Sequence, residues 1–274
     1  MENTISVFDR MNVKGKNYVI VGIGPGIGSS TARMLTEMGA KVACVHHRKE
    51  AAEEIAKEIG GVAIVADATK REDMVRAFDE AEAALGPISG VVDVIGRCKN
   101  VLLADTTDED WVYEYEFVLK HQYLAIQLGA EKLKKAGGGS IVCIGSMSGL
   151  WPYPKQGAYG AMKAALAHLV ESAAVEYAPY GIRVNSIAPG FMISGSLKQT
   201  FSEEQWKIAA SVIPRGTAAL PEEIATTVVF MLSDWSINVT GQTVAADGGQ
   251  GLSSPTANPF GDAWKANYTK TANK

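Results

Sequence analysis

The 274-residue chain is poor in the residues that build metal centres and covalent frameworks. It has three cysteines and four histidines. Cys44, Cys98 and Cys143 are too few and too scattered for a disulfide framework or a zinc site, so no metal is expected and a reducing cytoplasm fits. Neither sign of charge is in excess: 26 Lys+Arg stand against 30 Asp+Glu, mixed along the chain. No basic run suggests nucleic acid, and no polybasic segment suggests an anionic membrane surface. Apolar runs reach strand length only, short of the ~20 residues that a membrane helix needs. The opening Met-Glu-Asn-Thr-Ile-Ser has no basic stretch followed by an apolar one, so no secretory signal is expected. Low-complexity segments and internal linkers are also missing, and the length suits one α/β domain with a large core.

What is present is a regular alternation of short apolar runs and amphipathic stretches. It predicts strands at Tyr18–Val21, Val42–Val45, Ala63–Val65, Gly90–Ile95, Ser140–Gly145, Arg183–Ile187 and Thr243–Ala246. Helices are expected at about 27–38, 49–59, 70–85, 109–135, 156–178, 202–211 and 221–233. Near-continuous apolar strands between helices argue for an α/β fold with a parallel sheet of about seven strands, covered by helices on both faces. Residues 1–249 are expected to form the domain and 250–274 a C-terminal extension.

Three segments carry chemistry. In AYGAMKAAL, Tyr159 and Lys163 are four residues apart and share a helix face. A tyrosine hydroxyl titrates near pH ~10 in water, and a nearby ammonium favours its phenolate. Alone, the spacing also describes a surface Tyr stacked on a Lys stem. A glycine-rich turn, Gly22-Ile-Gly-Pro-Gly26-Ile27-Gly28, joins the first strand to the first long helix. Glycines let a pyrophosphate approach the backbone, and the helix start offers free N–H groups. The strand ending in Gly145-Ser146-Met-Ser148 places hydroxyls at a carboxyl end, where such sheets bind ligands.

With these segments, the chain resembles the short-chain dehydrogenases/reductases of the single-domain type, from about Val13 to Gly249. Further matching pieces are Asp67, the stretch Tyr180–Gly190 with Asn185 and Pro189, Pro221-Glu-Glu-Ile, and Thr240-Gly-Gln-Thr-Val-Ala-Ala-Asp247-Gly-Gly. The resemblance implies a doubly wound, Rossmann-type sheet, a substrate lid at about 195–212, a nicotinamide cofactor and a carbonyl/alcohol interconversion. Tyr159 would be the general acid/base, Ser146 the donor to the carbonyl oxygen, and Lys163 would lower the tyrosine pKa and hold the nicotinamide ribose. Gly22, Gly26, Ile27 and Gly28 would cradle the pyrophosphate, Asp67 and Ala68 the adenine, with Gly96 beside them. Pro189, Gly190, Ile193 and Ser194 would meet the carboxamide and pyrophosphate. Family members are commonly tetramers or dimers packed through the helices at 109–135 and 156–178, so a homotetramer or homodimer is expected.

Two departures stand out. The family's Asn-Asn-Ala-Gly is here Asp93-Val-Ile-Gly96, and Asp93 accepts hydrogen bonds where asparagine also donates. This reads either as a structural variant or as a functional carboxylate. The family's helical asparagine is replaced by Val118, seven residues after Trp111. Its main-chain carbonyl would survive in a proton relay, or His121, about one turn on, would enter it. These changes keep open an epimerase, dehydratase or C=C reductase on the same fold. A non-catalytic dinucleotide-binding protein is the further alternative.

At the end of the second strand, where NAD-preferring members carry an acid, stand His46, His47 and Arg48. No carboxylate repels a 2′-phosphate and a guanidinium can bind one, so NADP(H) is favoured over NAD(H). Ser148, Trp151, Tyr153, Phe191, Met192 and Trp206 are the candidate substrate residues. They suggest a medium-sized, largely apolar ketone or secondary alcohol, cyclic, aryl or steroid-like. Arg97 and Lys99 offer an alternative, reception of an acidic substrate group. The apolar tail residues, Trp264 among them, suggest a segment lying over the crevice, with a frayed end as the competing reading.

Overall fold

A computed structural model describes residues 6–11, 13–193 and 201–252. Ser194, part of the expected lid and most of the C-terminal extension lie outside these described residues. Seven parallel strands form one sheet in the order β3-β2-β1-β4-β5-β6-β7. They are β1 (Asn17–Val21), β2 (Lys41–His46), β3 (Val62–Val65), β4 (Gly90–Asp93), β5 (Gly139–Ile144), β6 (Ile182–Pro189) and β7 (Thr243–Ala246). The order reverses between β1 and β4, which opens a crevice at the carboxyl ends of the central strands.

The apolar pattern explains the layers. Successive side chains of a strand point to opposite faces, and β1 buries every residue. Val19 and Val21 join Phe78, Leu124, Leu133, Leu166 and Val170 on one face. Tyr18 and Ile20 join Leu35, Ile55, Val228 and Met231 on the other. The first face is covered by α4 (Arg71–Leu85), α6 (His121–Ala136) and α7 (Gly157–Tyr177). The second is covered by α2 (Ile27–Glu37), α3 (Lys49–Ile59) and α9 (Pro221–Leu232); the short α1 (Val7–Arg10) precedes β1 in the chain, and α8 (Glu203–Ser211) lies between β6 and α9. Each fully buried side chain of this size contributes about 1.5–3 kcal/mol. No helix among the described residues is long and apolar enough to cross a membrane.

Two expected elements differ. Strand β4 stops at Asp93 instead of Ile95, because the Asp93 carboxylate takes the Ile95 N–H at 3.0 Å and turns the chain. The helix expected at 109–135 runs without a break over 108–136 but is not α-helical throughout. A segment α5 (Asp108–Glu114), capped by Thr107 and Asp110, passes into a π-helical turn over Tyr115–Lys120 before α6 begins.

Candidate active site

The crevice holds a cavity of about 300 Å³ at the carboxyl ends of β1, β4, β5 and β6. Ser146, Tyr159 and Lys163 all line it. Ser146 follows β5 and accepts the Ser148 N–H at 3.1 Å, which fixes the turn after the strand. Tyr159 and Lys163 come from the first turns of α7, with the Lys163 Nζ 5.9 Å from the Tyr159 ring centroid. The backbone of α7 lies against the turn at 147–149: a Cβ on Gly149 would meet the Lys163 carbonyl carbon at 2.7 Å. Only glycine permits that approach, which carries Lys163 over the end of β5. There the Nζ donates to the Ile144 carbonyl at 2.7 Å, and the side chain is almost wholly enclosed.

The electrostatics correct one expectation. Burial pushes Tyr159 up to about 12, the Ser146 hydroxyl pulls it back in part, and Cys98 and Glu114 add to the rise. The lowering by Lys163 expected from the sequence is not seen. Withdrawing the phenol from water sets the direction, and the Lys163 ammonium donates to the Ile144 carbonyl. Lys163 itself is lowered to about 8, by burial first, against the opposing pull of Asp93, Cys143 and Glu114.

Gly22 adopts φ +87°, and a Cβ there would strike Ile95 at 2.3 Å. Behind it, Ser29 N–H donates to Gly24 and Ser30 N–H to Gly26, while the Ile27 and Gly28 amides face no acceptor among the described residues. That is a donor set for an anion at a helix start. Ile27, Gly96, Pro189 and Gly190 line the same cavity. Asp67 binds the Thr69 N–H and hydroxyl at 3.0 and 2.7 Å, so its carboxylate is held in a fixed turn beside buried Ala68. Ile193 donates its N–H to Ala219, at the edge of the described segment. At the end of β2, His46 Nδ1 accepts the Arg48 N–H at 2.9 Å, and the His46 and His47 rings stack 4.4 Å apart. The Arg48 side chain lines a hollow with Gly26, Ser29 and Arg33. Arg33 is held by Glu58, whereas Arg48 makes no ion pair among the described residues. These glycines, free amides and the basic edge fit a dinucleotide.

Of the candidate substrate residues, Ser148, Tyr153, Phe191 and Met192 line the cavity. Trp151 and Trp206 are not brought to it: Trp151 is half-exposed beside Gly251, and Trp206 packs on Phe201 at 5.0 Å between centroids. Lys99 pairs with Asp110 at 2.7 Å and lies over the Tyr113 ring, and Arg97 is exposed outside the cavity.

Several members escaped sequence reasoning. Gln250 lines the cavity, accepts the Phe191 N–H at 2.9 Å and donates to the Tyr153 hydroxyl at 3.4 Å. Gln156 receives the Ser148 hydroxyl. Gln122 donates to Ile144 at 3.1 Å and reaches the Val118 carbonyl at 3.5 Å, so a side-chain amide links the carbonyl at the altered tetrad position to the one that binds Lys163. Buried Glu114 accepts the Lys99 N–H at 2.6 Å, and burial raises its pKa. No residue pattern marks these glutamines: Gln122 and Gln250 bind backbone groups of other elements, and Gln156 binds the Ser148 side chain. His121 does not reach the cavity. It binds Asp93 at 2.8 Å, with both side chains fully enclosed.

Comparison with known proteins agrees with this architecture. A family model described as Enoyl-(Acyl carrier protein) reductase matches residues 22–250. The chain is 32% identical over 244 residues to the NADP-dependent (R)-specific alcohol dehydrogenase of Lentilactobacillus kefiri, covering 86% of this chain and 97% of that protein. It is 30% identical over 254 residues to the NAD-dependent glycerol dehydrogenase of Listeria innocua, covering 90% and 98%. A solved short-chain type dehydrogenase/reductase from Mycobacterium ulcerans superposes with a TM-score of 0.83 at 29% identity, over 88% of this chain and 91% of that one. Similarity over this much sequence and structure establishes that the chain belongs to the short-chain dehydrogenase/reductase family.

Proposed function

We propose that the protein is an NAD(P)-dependent oxidoreductase that interconverts a medium-sized, largely apolar ketone and its secondary alcohol. The observation that carries this reading is the convergence of Ser146, Tyr159 and Lys163 on one cavity, beside the glycine turn. When bound, the nicotinamide supplies or accepts the hydride. The Ser146 hydroxyl orients the substrate oxygen. Tyr159 gives that oxygen a proton during reduction and takes it back during oxidation. Lys163 holds a positive charge where the nicotinamide ribose would lie, and the Ile27 and Gly28 amides would hold the pyrophosphate. Asp67 and Ala68 would take the adenine, and Pro189, Gly190, Ile193 and Ser194 the carboxamide side.

The family model's description concerns reduction of a C=C bond. A hydroxyl and a phenol placed together at one cavity wall favour an oxygen as the reacting partner. NADP(H) is the favoured cofactor, supported by Arg48, which lines one hollow with Gly26 and makes no ion pair among the described residues. The relatives carry both preferences in their names, so this choice rests on this chain's own residues. The apolar substrate is supported by Val94, Ile95, Met147, Phe191 and Met192 around the cavity, with Lys163 its one cationic lining group among the described residues. Exposed Trp111, Val112 and Tyr115 on the α5 side support assembly into a dimer or tetramer.

The test is oxidation of NADPH and NADH with a panel of ketones. Cyclic and aryl ketones are expected to outperform small charged keto acids. Preference for the keto acids would overturn the substrate class.

A further inference from the structure

Gln122 lies in the first turn of α6 and is fully enclosed. Its Nε2 donates to the Ile144 carbonyl of β5 at 3.1 Å and reaches the Val118 carbonyl, inside the π-helical turn, at 3.5 Å. Carbonyls only accept, so these two partners fix which end of the amide is the nitrogen. The Oε1 end is buried with no hydrogen-bond partner among the described residues. A buried acceptor left unpaired lowers stability. An apolar side chain of the same length would avoid that loss, so stability alone does not account for a glutamine here.

The amide meets the site at Ile144. The register of β4 with β5 ends at Asp93 and Cys143, so Ile144 lies one residue past the last pair. Two side chains answer its carbonyl: the Gln122 amide at 3.1 Å and the Lys163 ammonium at 2.7 Å. A carbonyl oxygen has two lone pairs and can receive both donors. Ile144 and Lys163 line the cavity, whereas Gln122 stands behind them.

We infer that Gln122 is a positioning residue for Lys163. It holds the Ile144 carbonyl in the direction from which the ammonium meets it, and it ties that carbonyl to the π-helical turn at Val118. The inference rests on the proposed role of Lys163 beside the nicotinamide ribose. A lysine ammonium sits on a flexible four-carbon stem with three donor hydrogens. Here the side chain is enclosed, and one hydrogen is given to Ile144. The direction of that one bond sets where the other two point, and they are the ones left for groups in the cavity. A shift of the carbonyl therefore moves the donors that a cofactor would meet, although Gln122 itself touches neither cofactor nor substrate.

Gln122→Met keeps the length and volume of the side chain and removes the donor, and Gln122→Leu does the same with a different shape. Both are expected to unfold within about 3 °C of the wild type or above it, since the unpaired acceptor leaves together with the donor. Fluorescence titration with the more tightly bound of NADPH and NADH then reads Lys163 without any turnover. Gln122→Met should weaken cofactor binding by about threefold to tenfold in the otherwise wild-type protein. In a Lys163→Met background it should weaken binding by less than about 1.5-fold, because Gln122 acts only through the ammonium. Equal weakening in the two backgrounds would overturn the proposal, and so would unchanged binding in the first. The titration stands whether or not a ketone is turned over, so a failure of the oxidoreductase reading is told apart from a failure of this one. With an accepted ketone, kcat of Gln122→Met should fall by about tenfold while ketone KM stays within about twofold. A wild-type kcat would contradict the positioning role. Losses of affinity that follow Tm across the Met and Leu variants would make Gln122 a packing residue and overturn the inference too.

Discussion

Lys163 Nζ donates to the Ile144 carbonyl at 2.7 Å, and this bond ties the start of α7 to the end of β5 inside the protein. The lysine is held at about 8, mainly by burial, well below the ~10.4 of a free lysine. The folded state therefore binds this proton more weakly than the unfolded chain. Its charge is a burden at neutral pH, relieved as pH rises from about 8 toward 10.5. Lys163→Met is expected to abolish turnover yet raise stability at pH 7 by about 1–3 kcal/mol, after the lost hydrogen bond is counted. Denaturant unfolding at pH 7 and pH 10 checks this. The gain should shrink at the higher pH, and a loss of stability at pH 7 would contradict it.

Arg48 stands exposed at the end of β2 with no ionic partner among the described residues. Arg48→Ala should weaken NADPH binding by about 10–100-fold, the worth of one or two charge-assisted bonds to a phosphate. NADH binding should change by less than about twofold. Fluorescence titration with both cofactors decides. Equal losses for the two would make Arg48 a general contact, and no loss would make it a solvated bystander.

Gly149 has no room for a Cβ, which would stand 2.7 Å from the Lys163 backbone. Gly149→Ala must push α7 away from β5 and is expected to cost about 1–3 kcal/mol of stability. Because the shift moves Lys163 and Tyr159 together, kcat should fall by about tenfold or more. Thermal unfolding combined with steady-state kinetics checks both. An alanine variant with wild-type kcat would show that the close approach does not serve the site.

Much of the sheet was legible because its strands are buried on both faces. Tyr18–Val21 and Val42–Val45 read as apolar runs, and the structure extends them by one residue at most on either side. The glycine turn was legible for a similar reason: Gly22 answers a backbone demand that no other residue meets. The π-helical turn inside the helix after Trp111 was not legible. Tyr115–Lys120 has an ordinary helical composition, and what distinguishes it is the His121 bond to the Phe117 carbonyl and the approach of Asp93 from another element. Likewise, nothing in the neighbourhood of Gln122 or Gln250 signals a buried amide; each finds its partner far along the chain. Asp93 and Val118 were visible as departures. That Asp93 is answered by His121 emerged only with the fold.

The central claim is that Tyr159 is the proton donor of a carbonyl reductase site, and Tyr159→Phe tests it most directly. The phenyl ring keeps the packing and removes the one hydroxyl. With an accepted ketone and NADPH, kcat should fall by about 10³-fold or more, while cofactor affinity stays within about twofold. Turnover within about tenfold of wild type, with cofactor still bound, would contradict the account.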